Sequence, residues 1–229
     1  LKYGIQICNR LEIALKDTRL IYFLKKMKPI QISRLPIFTT EVFSFELPNF
    51  EEWEKQIKQI VLVEDNKQIH NISSTPEEKC NIVGSRTAWN SHQRYPSLKI
   101  LCDEIEGYLY SFIKNEGYDI PKLVIHNCWI NWYDKDNYAH PHTHGSVLSV
   151  VLFVNVEDSD AKFFFHADNN LVLTKQEELK TNFSNVKHVK VKNGTIIFFD
   201  GSIRHSVSQN TTNKKRITVA LNYAVDYGY

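Results

Sequence analysis

Little in this chain could staple or anchor it. The 229 residues include four cysteines, Cys8, Cys80, Cys102 and Cys128, far apart and with no CxxC pair. Neither a disulfide framework nor a zinc knuckle is suggested, and a reducing compartment is expected: the cytoplasm, or the host's cytoplasm for a viral chain. Cys102 and Cys128 fall in apolar periodic segments and read as small core residues. No apolar run approaches the roughly 20 residues of a membrane-spanning helix. The short run 20–24 is crowded by Asp17, Arg19, Lys25 and Lys26 and makes a poor secretory signal. A dominant charge is missing too. The formal net charge is +2 with both signs interspersed, so there is no clear nucleic-acid or membrane signal, and the basic clusters at 25–26 and 214–216 read as solvated surface. Internal repeats, low-complexity tracts and Gly/Ser linkers are absent. Methionine occurs once, as Met27, just ahead of the first strand-like segment. Residues 1–26 are therefore expected to be upstream translation or an extension. Residues 1–34 are set apart from a single domain over 35–229, a length that allows one substantial core.

Helical periods come first in what is present. Segment 35–47 is strand-like, with Val42, Phe43 and Phe45 inside it. Asn49 offers an N-cap to a helix whose face is Phe50, Trp53, Ile57, Ile60 and Val61 and which ends near Val63. Residues 64–95 are polar and irregular. A longer helix follows Pro96, with Leu98, Leu101, Ile105, Leu109, Phe112 and Ile113 in one stripe and Gly117 as its stop. From residue 122 the period falls to two or the sequence is continuously apolar. This predicts strands at 122–133, 146–156, 161–166, 187–192, 195–199, 203–209 and 215–225. Asn193-Gly194 signals a tight hairpin between two of them. Helices followed by a run of strands imply a mostly β fold, with the helices on one face of a twisted antiparallel sandwich or small barrel.

The chemistry concentrates at His140, His142 and His144, three histidines at alternate positions leading into an apolar strand. Residues i and i+2 of a strand point the same way, so His142/His144, or His140/His142, can reach one metal ion. We prefer the first pair, with His140 in the approaching loop, near substrate. Imidazole suits several transition metals, and His205 is the natural third ligand. If 210–213 is a four-residue hairpin loop, Val207 pairs with Arg216 and His205 with Thr218. His205, Arg216, Thr218, Ala220 and Asn222 then share a polar face opposite Ile217, Val219 and Leu221. An inward arginine needs an anion, and a small carboxylate fits its fork. Taken singly, His205 reads as a satisfied core histidine and Arg216 as a surface ion-pair partner; their joint order and spacing favours a metal site. His70, His92, His126, His166 and His188 have no such company. Trp89, Trp129 and Trp132 read as core or pocket wall.

These residues resemble the iron(II)/2-oxoglutarate-dependent dioxygenases, in a branch common in marine phages and bacteria. The resemblance covers about residues 35–226. It is carried by Leu35-Pro36-Ile37-Phe38, Ala88-Trp89-Asn90-Ser91 and Cys128-Trp129-Ile130-Asn131-Trp132-Tyr133. It continues with His142-Thr143-His144-Gly145-Ser146-Val147-Leu148-Ser149, Gly194-Thr195-Ile196-Ile197-Phe198-Phe199, His205-Ser206-Val207 and Arg216-Ile217-Thr218-Val219-Ala220-Leu221-Asn222. It implies a double-stranded β-helix, or jelly roll, flanked by two main helices. It implies Fe(II) held by His142, His144 and His205, and 2-oxoglutarate as co-substrate with its C5 carboxylate on Arg216. Asn131, Tyr133, Ser149, Thr218 and Asn222 are expected to line that pocket.

The wider superfamily carries a carboxylate where His144 stands, which leaves Asp136 or Asp200 as alternative ligands, with His140 as a further one. The implied activity is hydroxylation of a small molecule or peptide side chain, with release of succinate and CO2. Two other classes compete: a cupin-like three-histidine oxygenase that does not use 2-oxoglutarate, and a non-enzymatic jelly-roll metal-binding module.

Overall fold

A computed structural model describes residues 40–66, 81–145, 147–167 and 186–228. The expectations for residues 1–34 and for Met27 lie outside the described residues. The chain runs β1 (Phe43–Glu46), α1 (Phe50–Asp65), β2 (Ile82–Val83), β3 (Ser85–Arg86), α2 (Ser91–Arg94), α3 (Pro96–Asn115) and β4 (Leu123–Tyr133). It continues through β5 (Tyr138–His142), β6 (Leu148–Asn155), β7 (Phe163–His166), β8 (Val186–Val189), β9 (Thr195–Asp200), β10 (His205–Val207) and β11 (Arg216–Val225).

Local chemistry explains the helix ends. Pro96 opens α3, where its missing N–H costs nothing. Gly117, at φ 86°, closes it: Tyr118 N–H donates to the Ile113 carbonyl and Gly117 N–H to that of Lys114. Asn49 occupies the N-cap position of α1, but in the left-handed region at φ 52° and with no side-chain cap. Its carbonyl accepts from the Glu52 N–H instead.

The strands form two antiparallel sheets that make up a jelly roll, a six-stranded one ordered β1-β9-β6-β11-β4-β3 and a five-stranded one ordered β2-β5-β10-β7-β8. Alternation gives the larger sheet two different faces. Cys128, Ile130, Trp132, Val150, Leu152, Ile196, Phe198, Val219 and Leu221 face α1 and α3, where Ile57, Leu98, Leu101, Ile105 and Leu109 complete one core. Tyr133, Val151, Phe153, Ile197 and Phe199 face the smaller sheet and meet Phe163, Phe165 and Val207 in a second core. Arg216, Thr218, Ala220 and Asn222 lie on this second, interior face, in register with Tyr133, Asn131, Trp129 and Asn127.

The topology corrects two expected pairings. Residues 203–209 and 215–225 do not form a hairpin. β10 pairs with β5 and β7 in the smaller sheet, whereas β11 pairs with β4 and β6 in the larger one. The chain changes sheets at a corner pinned by fully buried Asn210, whose Nδ2 donates to the carbonyls of Tyr133 and Lys214 at 3.1 and 2.7 Å. Asn193-Gly194 likewise sits in a tight turn, closed by Thr195 N–H to the Lys192 carbonyl. That turn too joins strands of different sheets, since β8 pairs with β7 and β9 with β1 and β6. Gly194 has φ 86°, and a Cβ there would come within 2.9 Å of the Phe50 ring. Of the 64–95 segment, residues 67–80 lie outside the described residues; the rest is more regular than expected and holds the end of α1, β2, β3 and α2.

Candidate metal centre

The histidines converge from three backbone settings. His142 closes β5 directly opposite His205 at the start of β10. His144 is brought in by the loop after β5, not by strand alternation. Its N–H donates to the Gly201 carbonyl at 2.7 Å, and Gly201 N–H donates to the Val147 carbonyl at 2.7 Å. This clamp needs a glycine at 201, because a Cβ would lie 2.8 Å from the carbonyl oxygens of both Gly145 and Val147. Ring centroids are 4.4 Å apart for His142–His205, 4.8 Å for His144–His205 and 5.2 Å for His142–His144. One ring nitrogen from each lies within 4.8 Å of the other two.

Hydrogen bonds fix which nitrogen that is. His142 Nδ1 donates to the His140 carbonyl at 2.6 Å, and His205 Nδ1 to the Ile203 carbonyl at 2.9 Å. Both partners are carbonyls two residues upstream. His144 Nδ1 instead meets Asn222 Oδ1 at 2.9 Å and Ser149 Oγ at 3.0 Å. With every Nδ1–H engaged by oxygen, the three Nε2 lone pairs are left for a shared ion.

Burial keeps the rings neutral. His205 is 4% exposed, with Phe163 and Phe199 rings 5.6 and 5.0 Å away, and desolvation lowers its pKa to about 3. Desolvation also lowers those of His142 and His144. Neutral imidazoles in a tight triangle suit a transition-metal ion.

Arg216 is the other unbalanced group. It is 1% exposed, its guanidinium lies 5.4 Å from the Tyr133 ring and 5.6 Å from that of Phe153, and Nε and Nη1 have no hydrogen-bond partner. Desolvation lowers its pKa to about 10, so it stays charged. A buried cation with two idle donors matches a carboxylate. On the same face, buried Asn131 also keeps an unpaired Oδ1, and Thr218 is its cross-strand neighbour.

The alternative ligands lie elsewhere. Asp136 precedes β5 at the end remote from His142 and accepts from Gln209 Nε2. Asp200 is exposed and accepts from the Ser202 N–H. His140 lies on β5 rather than in a loop, exposed and edge-on to Tyr138. None of these joins the three-histidine group.

A cleft of about 320 Å³ opens beside His142 and His144, lined also by Asn81, Ile82, Trp89, Asn127, Trp129, Thr143 and Asn222. Trp89 and Trp129 meet edge to face at 4.6 Å, and the Arg86 guanidinium lies 3.8 Å from the Trp89 ring centroid. Apart from its two histidines the lining carries no ionisable side chain. Asn81 and Asn127 had no sequence signal, because nothing local marks an amide as facing a cleft.

Comparison with known proteins adds three observations. Residues 127–222 match the family model "Putative 2OG-Fe(II) oxygenase". No curated protein matches the chain in sequence. Several solved structures share its fold at low identity. HygX from Streptomyces hygroscopicus, with nickel and 2-oxoglutarate bound, is 11% identical over 92% of this chain and 88% of that one, with a TM-score of 0.59. A prolyl hydroxylase from Trichoplax adhaerens, in complex with a hypoxia-inducible-factor peptide fragment, is 13% identical over 81% and 84%, with a TM-score of 0.57. The carbocyclase SnoK of nogalamycin biosynthesis is 14% identical over 80% and 79%, with a TM-score of 0.57. In sequence, then, residues 127–222 match a 2OG-Fe(II) oxygenase family model, and in fold the described residues are similar to these solved structures.

Proposed function

We propose that this chain is an Fe(II)- and 2-oxoglutarate-dependent dioxygenase that hydroxylates a small molecule or a peptide side chain and releases succinate and CO2. The observation that carries the reading is the pairing of two unsatisfied groups in one interior: three imidazoles with free Nε2 atoms, and a buried Arg216 with two idle N–H donors. His142, His144 and His205 would hold the iron. Arg216 would hold the far carboxylate of 2-oxoglutarate, with Tyr133, Thr218 and Asn131 around it. Bound there, iron with 2-oxoglutarate supplies oxygen activation and the oxidising power for a C–H bond. The chain's own part is orientation and the exclusion of water. The phenylalanines behind His205 keep one side of the centre dry, and the cleft beside His142 and His144 admits substrate from the other. Its neutral aromatic and amide walls suit an uncharged reacting group.

Anaerobic titration of the metal-free protein with Fe(II) and 2-oxoglutarate tests this. The wild type is expected to develop the visible charge-transfer band of the chelate, and His205→Ala to lack it. The three-histidine ligand set itself favours a second reading, an oxygenase that does not use 2-oxoglutarate. That reading predicts tight Fe(II) binding without the band and oxygen consumption without succinate. A structural-metal module predicts metal binding with no substrate-dependent turnover at all.

A further inference from the structure

A carboxylate ligand offers equivalent oxygens, but an imidazole must be held in one tautomer and one orientation to present Nε2. His142 and His205 obtain this from carbonyls two residues upstream, His140 on β5 and Ile203 in the turn before β10. His144 sits on a loop, and its Nδ1 finds its partners on the opposite sheet: Asn222 of β11 and Ser149 of β6. The direction of the contact is fixed by the groups around it. Asn222 Nδ2 donates to Asn127 Oδ1 at 3.3 Å, which turns Asn222 Oδ1 towards His144. Asn127 Oδ1 also meets His126 Nδ1 at 3.0 Å, and Ser149 Oγ donates to Asn222 Oδ1 at 3.0 Å. Asn222 Oδ1 therefore accepts from both Ser149 and His144, and the proton on His144 must be at Nδ1. Asn222 and Ser149 are 6% and 1% exposed, so water cannot readily replace them.

From this network we infer that Asn222, braced by Ser149 and Asn127, is the positioning residue that makes His144 a metal ligand. It does the job that a ligating carboxylate would not require. Asn222 and Ser149 then act on the metal through His144 rather than by holding the co-substrate. The inference rests on the metal-centre reading above.

The test is Co(II) binding by the full chain, followed by visible d–d absorption under anaerobic conditions, for the wild type, Asn222→Leu, Asn222→Asp and Ser149→Ala. Removing such a support weakens metal binding by roughly 10- to 100-fold. Asn222→Leu is expected to show that loss with an altered d–d spectrum, and Ser149→Ala a smaller loss. Asn222→Asp keeps the acceptor and adds charge opposite Nδ1–H, at the loss of the donor to Asn127, so it is expected to bind Co(II) far closer to wild type than Asn222→Leu does. Rescue by Asp is the readout that a merely structural role would not give, and it holds as the test should the Leu variant fail to fold. Wild-type affinity in Asn222→Leu, or binding by Asn222→Asp as weak as that of Asn222→Leu, overturns the role of Asn222 and leaves the metal centre standing. A wild type that takes up no Co(II) overturns the centre itself, and this inference with it.

Discussion

Arg216 shows what one side chain can disclose. Its inward direction was legible from the alternation Arg216, Thr218, Ala220, Asn222, although the hairpin expected to pair it with Val207 does not exist; Tyr133 is its partner. Alternation survives an error in pairing, because it belongs to the strand alone. The spacing of His142 and His144 was informative for a similar reason, yet His144 arrives by a clamped loop and not by strand geometry. Of the two Nδ1 partners of His144, Ser149 lies five residues on and Asn222 78, and nothing local marks either as its support. For Arg216 the expected outcome of Arg216→Ala is a loss of about 2–5 kcal/mol in 2-oxoglutarate binding. Fe(II) affinity should change less than tenfold in the same variant. Isothermal titration of each ligand separates the two, and equal losses would remove Arg216 from the co-substrate site.

The clamp between the 144–147 loop and Gly201 decides where His144 sits. Gly201→Ala forces a Cβ against two carbonyl oxygens, neither of which can yield without moving the loop. Overpacking of this kind costs about 1–3 kcal/mol. Here the strain falls on a ligand, so the expected result is a modest drop in melting temperature with a disproportionate fall in Co(II) affinity. A variant that melts early yet binds Co(II) normally would show that the loop does not set the ligand. Most elements of this kind were legible: both main helices, β4, β6, β7, β9 and β11 follow their periodicity closely. The partners of β8, β9 and β10 were not. A turn sequence such as Asn193-Gly194 specifies that the chain reverses, but not whether it stays in the same sheet. β5 was missed because Tyr138, His140 and Pro141 look like a loop; cross-strand pairing with β10 and β2 makes them a strand.

Over the whole molecule, the three histidines sit where the mouth of the smaller sheet meets the larger one, and their neutrality is a condition of closure. His205 carries a folded-state pKa of about 3, against about 6.5 when unfolded. Between those values the unfolded chain binds the extra proton, so stability is full above pH 6.5 and declines as pH falls towards 3. The slope for this one group approaches about 1.4 kcal/mol per pH unit, and His142 and His144 steepen it. Urea unfolding of the metal-free protein at pH 7.5, 5.5 and 4.5 should show the decline, and His205→Gln should flatten it. Equal slopes in the two proteins would rule out His205 as its source.

The same architecture has a consequence for how such a chain can evolve. Along β6, β11 and β4 from Asn127 onward, alternate residues face the cavity and the helices, so the site is written in parity; a bulge at His126 reverses that parity at the start of β4. Losing or gaining one residue between Arg216 and Asn222 would reverse one of them relative to the other, so that the two could no longer both face the cavity. Change of length is therefore expected mainly in the connections between strands, or at a bulge such as that at His126, outside the stretches that carry Arg216, Asn222 and their partners.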